Sequence, residues 1–225
     1  AALSMIVTLE ADLVEIVLLS LQVSLSAVAI ASVIALPLGA LIALQSFPGR
    51  RGVVILLNAL MGLPPVVVGL LVYLLLSRAG PLGPMGLLFT PTAMIIAQSI
   101  IVLPIIAALS RQTIADLHEE YDEHLRSLGC SPLQSVATLL WDGRFRLLTA
   151  IMAGFGRAIA EVGAVIIVGG NIQHATRVMT TTIALETSKG NLALALGLGL
   201  ILVTLALGVN ATALVISDAA RRRYG

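Results

Sequence analysis

Long apolar stretches alternate with short polar ones along this 225-residue chain. Five stretches, roughly residues 14–44, 53–76, 92–109, 147–170 and 192–216, can each cross a hydrocarbon core of about 30 Å at about 1.5 Å per residue. The first exceeds what one crossing needs, so it is expected to tilt or to project beyond the bilayer. Pro37 and Gly39 predict a kink near its far end. Pro64 and Pro65 fall inside the second stretch and Pro104 inside the third. Strict alternation at period two is absent, which argues against a barrel. The pattern predicts an all-α polytopic transmembrane helical bundle of about five spans, one domain over residues 1–225.

Composition agrees with that pattern. Charged residues make up 11% and hydrophobic ones 58%, against about 25% charge in a typical soluble domain. So few polar side chains cannot coat a water-facing surface, and lipid must cover much of the chain. No Lys/Arg-rich segment precedes the first apolar stretch, so no removable signal peptide is expected. The single cysteine, Cys130, excludes an intrachain disulfide.

The basic residues predict an orientation. Arg50, Arg51, Arg111, Arg126, Arg144, Arg146, Arg221, Arg222 and Arg223 fall on one side of a five-span chain. The other side holds Arg78, Arg177 and Lys189. Cytoplasmic loops carry the excess of Lys and Arg. The C-terminus and residues 111–146 are therefore expected inside. The N-terminus, with the acidic Glu10, Asp12 and Glu15, is expected outside. The outer segment 171–191 reads as a polar loop in which Thr180, Thr181 and Thr182 are solvated.

Residues 116–146 form a polar island with six acidic residues and three arginines. Leu117, Tyr121, Leu125 and Leu128 recur at spacings of three and four, one face of a short amphipathic helix. Gly129 reads as its stop. Ser131 then reads as the N-cap of a second short helix with Pro132 at its first position. Such an island is either a solvated connector or a docking element for a partner. His118 and His124 flank four carboxylates, but six residues apart is about 240° of helical rotation, so they do not share a face. The spacing His-Glu-x-x-His is absent. No metal site and no cofactor are expected.

The segment Glu123-His124-Leu125-Arg126-Ser127-Leu128-Gly129 resembles the Glu-Ala-Ala-x-x-x-Gly coupling loop of ABC-importer permeases. It keeps the glutamate and the glycine, with His124 and Leu125 in place of the alanines, and has Trp141-Asp142 where the family usually has Leu-Pro. The stretches 155–164 and 169–172 resemble molybdate-type permeases. The stretches 61–69 and 176–181 are similar to their tungstate branch. The resemblance covers nearly the whole chain. It implies the type I ABC-importer permease fold in a bacterial or archaeal inner membrane, a homodimer, two ATP-binding subunits and an outer tungstate-binding protein. It also implies that the loop at about 111–146, through Glu119, Glu120, Glu123, Gly129, Cys130 and Ser131, contacts the ATPase. Nothing points to nucleic acid. The residues independently favour a partner, since the only lysine, Lys189, is not in a Gly-x-x-x-x-Gly-Lys-Ser/Thr loop. The permease is expected to be no enzyme.

Two features inside the spans have alternative readings. Arg157 and Glu161 are four apart and are expected to pair on one helix face, either as a structural ion pair or as a gate. Pro64 and Pro65 are either a passive kink or free carbonyls that line a cavity. A tetrahedral dianion needs hydrogen-bond donors, and Asn58, Gln98 and Thr180 to Thr182 supply them. Pro64, Pro65, Thr180 and Thr181 are the candidate pathway-lining residues. Rival functions are molybdate or sulfate import, a stand-alone secondary carrier working through Glu161, and an integral membrane enzyme. The last is disfavoured by the lack of clustered nucleophiles and bases.

Overall fold

The structure, a computed structural model, describes residues 11–127 and 129–224, without the side chains of 11, 126, 132, 133, 218 and 220–224. Glu10, the residues on which the signal-peptide expectation rests, and Leu128 of the amphipathic face lie outside it. So do the side chains of Arg126 and Arg221 to Arg223. The described residues are helical throughout, joined by turns. In order they are α1 (Ala11–Leu44), α2 (Arg50–Leu60), α3 (Pro65–Leu76), a 3-10 turn (Gly83–Met85), α4 (Pro91–Ser127), α5 (Pro132–Asp142), α6 (Arg144–Ile159), α7 (Gly163–Gly169), α8 (Met179–Ser188) and α9 (Leu192–Tyr224). Three helices, α1, α4 and α9, are long and apolar enough to cross a membrane alone. The pairs α2–α3 and α6–α7 bring the candidates to five if each bent pair is one span. That agrees with the five apolar stretches.

α1 and α4 pack side by side along much of their length. Small side chains make this close approach feasible. Ala27, Ala31, Ala35 and Ala40 on α1 are fully buried, as are Ala93, Ala97 and Ala107 on α4. Gly39 is the tightest point, since a Cβ there would lie 2.5 Å from the Ala107 carbonyl oxygen. Ser99 and Ser110 of α4 donate to the carbonyls of Ala27 and Leu36 at 3.3 and 3.0 Å. Pro37 and Gly39 do not divide α1, which runs as one helix through both. Gly39 provides room for the α4 backbone.

Chain breaks differ from the sequence expectation in three places. The second stretch is two helices that meet at 99°. Pro64 takes the extended N-cap position and Pro65 opens α3, where its missing N–H costs no helical bond. The short helix expected at residues 117–128 is instead the end of α4, a single helix of 37 residues. Nothing between Leu109 and Asp116 is a glycine or proline, so the span simply continues into the polar island. The segment at residues 171–191 is not a solvated loop. It folds as α8, and Thr180, Thr181 and Thr182 are all buried in it. The Thr176 hydroxyl, which accepts from the Ile172 amide at 3.0 Å and donates to the Gly169 carbonyl, closes the turn that leads there.

The two ends of the bundle differ in charge. At one end Arg50 folds back on the end of α1 and donates to the carbonyls of Ile42 and Ala43 at 2.7 and 2.8 Å. These carbonyls have no partner within the helix, so the arginine satisfies them and complements the helix dipole. Ser217 of α9 donates to the Phe145 carbonyl at 3.3 Å, which brings the end of α9 to the start of α6. At the opposite end His174 pairs with Glu15 at 2.8 Å. Only 17% of the most apolar window of α9 is buried, against 56% in α4, so α4 is central and α9 peripheral.

Candidate functional site

Two polar regions stand out, one at the arginine-rich end and one inside the bundle. The first is built on a small core under the polar island. Leu117 and Leu125 of α4 pack with Val136 and Leu139 of α5, Leu147 of α6 and Ala40 and Ala43 of α1. This apolar face is the one read from the spacing of Leu117, Tyr121 and Leu125. Its opposite face leaves Glu119, Glu120 and Glu123 exposed. Gly129 takes φ +65, and the Cys130 amide reaches the Leu125 carbonyl at 3.1 Å. That wrap ends α4 in the manner expected of a glycine stop. Ser131 caps α5 reciprocally: its hydroxyl accepts from the Gln134 amide at 3.4 Å, and its own amide donates to Gln134 Oε1 at 2.8 Å. Pro132 is the first residue of α5.

Ion pairs tie this tip together without covering it. Arg146 of α6 meets Glu120 at 3.4 Å, and His118 meets Asp122 at 3.6 Å. The exposed Arg146–Glu120 pair contributes about 0–1 kcal/mol. Glu119 and Glu123 have no partner among the described residues. Cys130 is half-buried against the core and is a free thiol. One feature was not visible in the sequence. Trp141 is 70% exposed, and the Arg144 guanidinium lies 4.7 Å from its ring centroid and 4.6 Å from that of Phe145. A tryptophan so near two arginines gave no signal that it would point outward.

The second region is a junction of the two broken spans. α6 ends at Ile159 and α7 starts at Gly163, with 59° between them. Arg157 and Glu161 do pair, through Arg157 Nη1 and Glu161 Oε2. They do not share one helix, as the spacing suggested, because Glu161 lies in the break. Its other oxygen accepts from the Ala164 amide at 3.1 Å, so the carboxylate caps α7. Its backbone carbonyl accepts from Thr180 at 2.8 Å. The Gln98 side-chain amide donates to the Ala158 carbonyl at 3.1 Å. Thus two carbonyls at the break have side-chain partners on α4 and α8, in keeping with the need to satisfy backbone groups at a broken span. Gln98 Oε1 has no partner among the described residues.

The other break packs directly on this one. A Cβ on Gly69 would lie 2.7 Å from the Ala164 Cα, and a Cβ on Gly163 would lie 2.9 Å from Val66 Cγ2. The backbones of α3 and α7 therefore touch just beyond Pro64 and Pro65. Pro64 is exposed and Pro65 is partly buried. Thr180 and Thr181 face the interior of this chain, and the Thr181 hydroxyl donates to Asn171 Oδ1 at 2.9 Å. Asn58 is exposed on α2. At the end opposite the tip Asp12, Glu15 and His174 bring their side-chain ligand atoms within 4.8 Å of one another. The sequence separation of 159 between Glu15 and His174 hid this group from the sequence reading. The hydrogen bond and charge of Glu15 raise the His174 pKa above its ordinary value.

Known proteins match this chain over nearly all of it. The family model for the binding-protein-dependent transport system inner membrane component matches residues 35–223. A probable anion ABC transporter permease of Haloferax volcanii is 39% identical over 218 residues, 95% of this chain and 94% of that one. The tungstate uptake system permease protein TupB of Peptoclostridium acidaminophilum is 41% identical over 85% of this chain and 84% of its own. The Campylobacter jejuni protein of that name is 42% identical over 65% of this chain and 62% of its own. A sulfate transport system permease of Synechocystis is more distant, 31% identical over 56% of this chain and 46% of its own. An all-helical bundle with five candidate spans, a glycine-ended amphipathic tip and this match place the chain in the binding-protein-dependent transport system inner membrane component family, as a multi-pass inner-membrane permease.

Proposed function

We propose that this permease is the membrane subunit of an ATP-driven importer for tungstate. The observation that carries the energy-coupling half is the tip at 119–131. It exposes carboxylates on a helix whose other face is packed, ends in the Gly129 turn, and belongs to a chain with no phosphate-binding loop. Glu119, Glu120, Glu123, Gly129, Cys130 and Ser131 contact a separate ATP-binding subunit. The arginine excess at this end supports placing it in the cytoplasm, with the N-terminus outside. Two copies of the chain enclose a central pathway, each with one ATP-binding subunit, and a binding protein delivers the anion from outside. ATP binding closes the ATPases and moves the tips, which turns the pathway outward. The permease itself makes and breaks no covalent bond.

The tungstate half rests on the relatives that carry that name over most of their length. Pro64 and Pro65 border the pathway, and Thr180 and Thr181 brace its wall from behind. Arg157 and Glu161 hold the broken span in shape. Reconstitution with the ATPase and binding protein tests the whole reading. Uptake of tungstate should require all three components and ATP, and excess molybdate or sulfate should compete poorly. Sulfate uptake that excess tungstate leaves unaffected would replace the substrate. Uptake that survives without the ATPase and follows an ion gradient would replace the mechanism with a secondary carrier.

A further inference from the structure

We propose that Arg157 is also an oxyanion contact on the pathway wall, held by Glu161 yet left with a free guanidinium edge; this rests on the importer reading above. Arg157 gives Nη1 to Glu161, and its remaining donors have no partner among the described residues. Its side chain is 30% exposed while that of Glu161 is 3% exposed. The residue sits thirteen positions beyond Arg144 at the start of α6, about 20 Å along the axis at about 1.5 Å per residue. A guanidinium keeps its charge at any working pH. At that depth its open edge must meet water, a ligand or another protein surface rather than acyl chains.

The surrounding face narrows the choice. The exposed side of α6 carries Thr149 and Ala153 beside the partly exposed Gly156 and Arg157, and the exposed Ala160 follows at its end. It carries no exposed large hydrophobic side chain. Other spans differ: α1 exposes Leu25 and Val33, α3 exposes Leu70 and Leu74, and α9 exposes Val203 and Leu207. Those faces suit lipid; on the α6 face Thr149, Ala153 and Gly156 line a groove with Asn210 and Ser217 of α9, flanked by Leu148 and Met152. Small side chains leave room in front of Arg157, and the cation complements an anion. Glu161 already neutralises one edge, so a passing dianion is held weakly enough to leave, as conduction requires.

Single cysteines at Thr149, Ala153 and Ala160, with Arg157 intact, test the face in proteoliposomes that hold permease, ATPase and binding protein. During ATP turnover a charged, membrane-impermeant thiol reagent should label them above the Cys130 background. Labelling only by a lipid-soluble maleimide would mean that the face meets acyl chains. Disulfides between copies without reagent access would mean that it is packed against a second chain. Either result overturns the proposal. Arg157→Gln should lower tungstate uptake at least tenfold and Arg157→Lys less, each compared with wild type at equal amounts of folded, inserted permease. Unchanged uptake in Arg157→Gln would also overturn it, and if that variant fails to fold, the labelling decides. Absence of uptake by the wild-type assembly would instead overturn the importer reading, and the labelling pattern would still report on the face.

Discussion

The tip at the end of α4 and the junction around Glu161 hold similar residue types with opposite outcomes. At the tip Glu119, Glu120 and Glu123 face outward, and the pairs they can form within the chain are exposed and weak. At the junction Glu161 is 3% exposed and has three committed contacts, to Arg157, the Ala164 amide and the Thr180 hydroxyl. A carboxylate with no internal work is available to a partner. A carboxylate that satisfies a broken backbone is part of the fold. Mutations should therefore separate the two regions, since junction variants lose stability and tip variants lose association.

The largest effect is expected for Glu161→Ala. It strands Arg157 and uncaps α7 at once. Breaking a buried pair costs about 3–5 kcal/mol, and the water access of Arg157 puts this one near about 3 kcal/mol. A fall in the thermal midpoint in detergent would reveal it, and an unchanged midpoint would break the contrast with the tip. Gly39→Val comes next. Its side chain would collide with the Ala107 carbonyl and the Arg111 amide, which are backbone atoms that cannot step aside cheaply. Overpacking of this kind costs about 1–3 kcal/mol, and the same midpoint reports it.

Thr180→Val should cost about 1 kcal/mol, because the Glu161 carbonyl loses its partner at nearly constant side-chain volume. An equal loss from Thr187→Val, an exposed threonine on the same helix, would show that the junction contact is not special. The smallest effect concerns the end opposite the tip. Glu15 raises the His174 pKa, with Asp12 adding to it and Arg177 opposing it. The folded state therefore binds the proton more tightly. Its stabilisation is fully present below the ordinary histidine pKa of about 6.5 and is lost as pH rises through the raised folded value. NMR titration of His174 should give a value above that of a free histidine, and Glu15→Gln should bring it down.

Much of the bundle was legible because hydrophobic run length is a direct physical requirement of spanning lipid. The Gly129 stop and the Ser131–Pro132 start were legible because end signals are local. The breaks were not. Pro64-Pro65 announces an interruption but not a 99° turn, which depends on Gly69 meeting Ala164 from another span. Arg157 and Glu161 at spacing four resemble a helical pair, and the helix end between them shows only in the fold, where Glu161 caps the Ala164 amide and Thr180 reaches its carbonyl from another helix. The threonine run looked solvated because its partners, such as Asn171 and the Glu161 carbonyl, lie about ten to twenty residues away.

Association of the ATPase with the tip tests the central claim most directly. Detergent-solubilised permease should retain its ATP-binding subunit through size-exclusion chromatography when wild type or Thr180→Val. Glu123→Arg, which reverses an exposed charge, and Gly129→Pro, whose ring cannot adopt φ +65, should both release the subunit while the permease itself stays folded and inserted. Full retention of the ATPase by both tip variants would contradict the account.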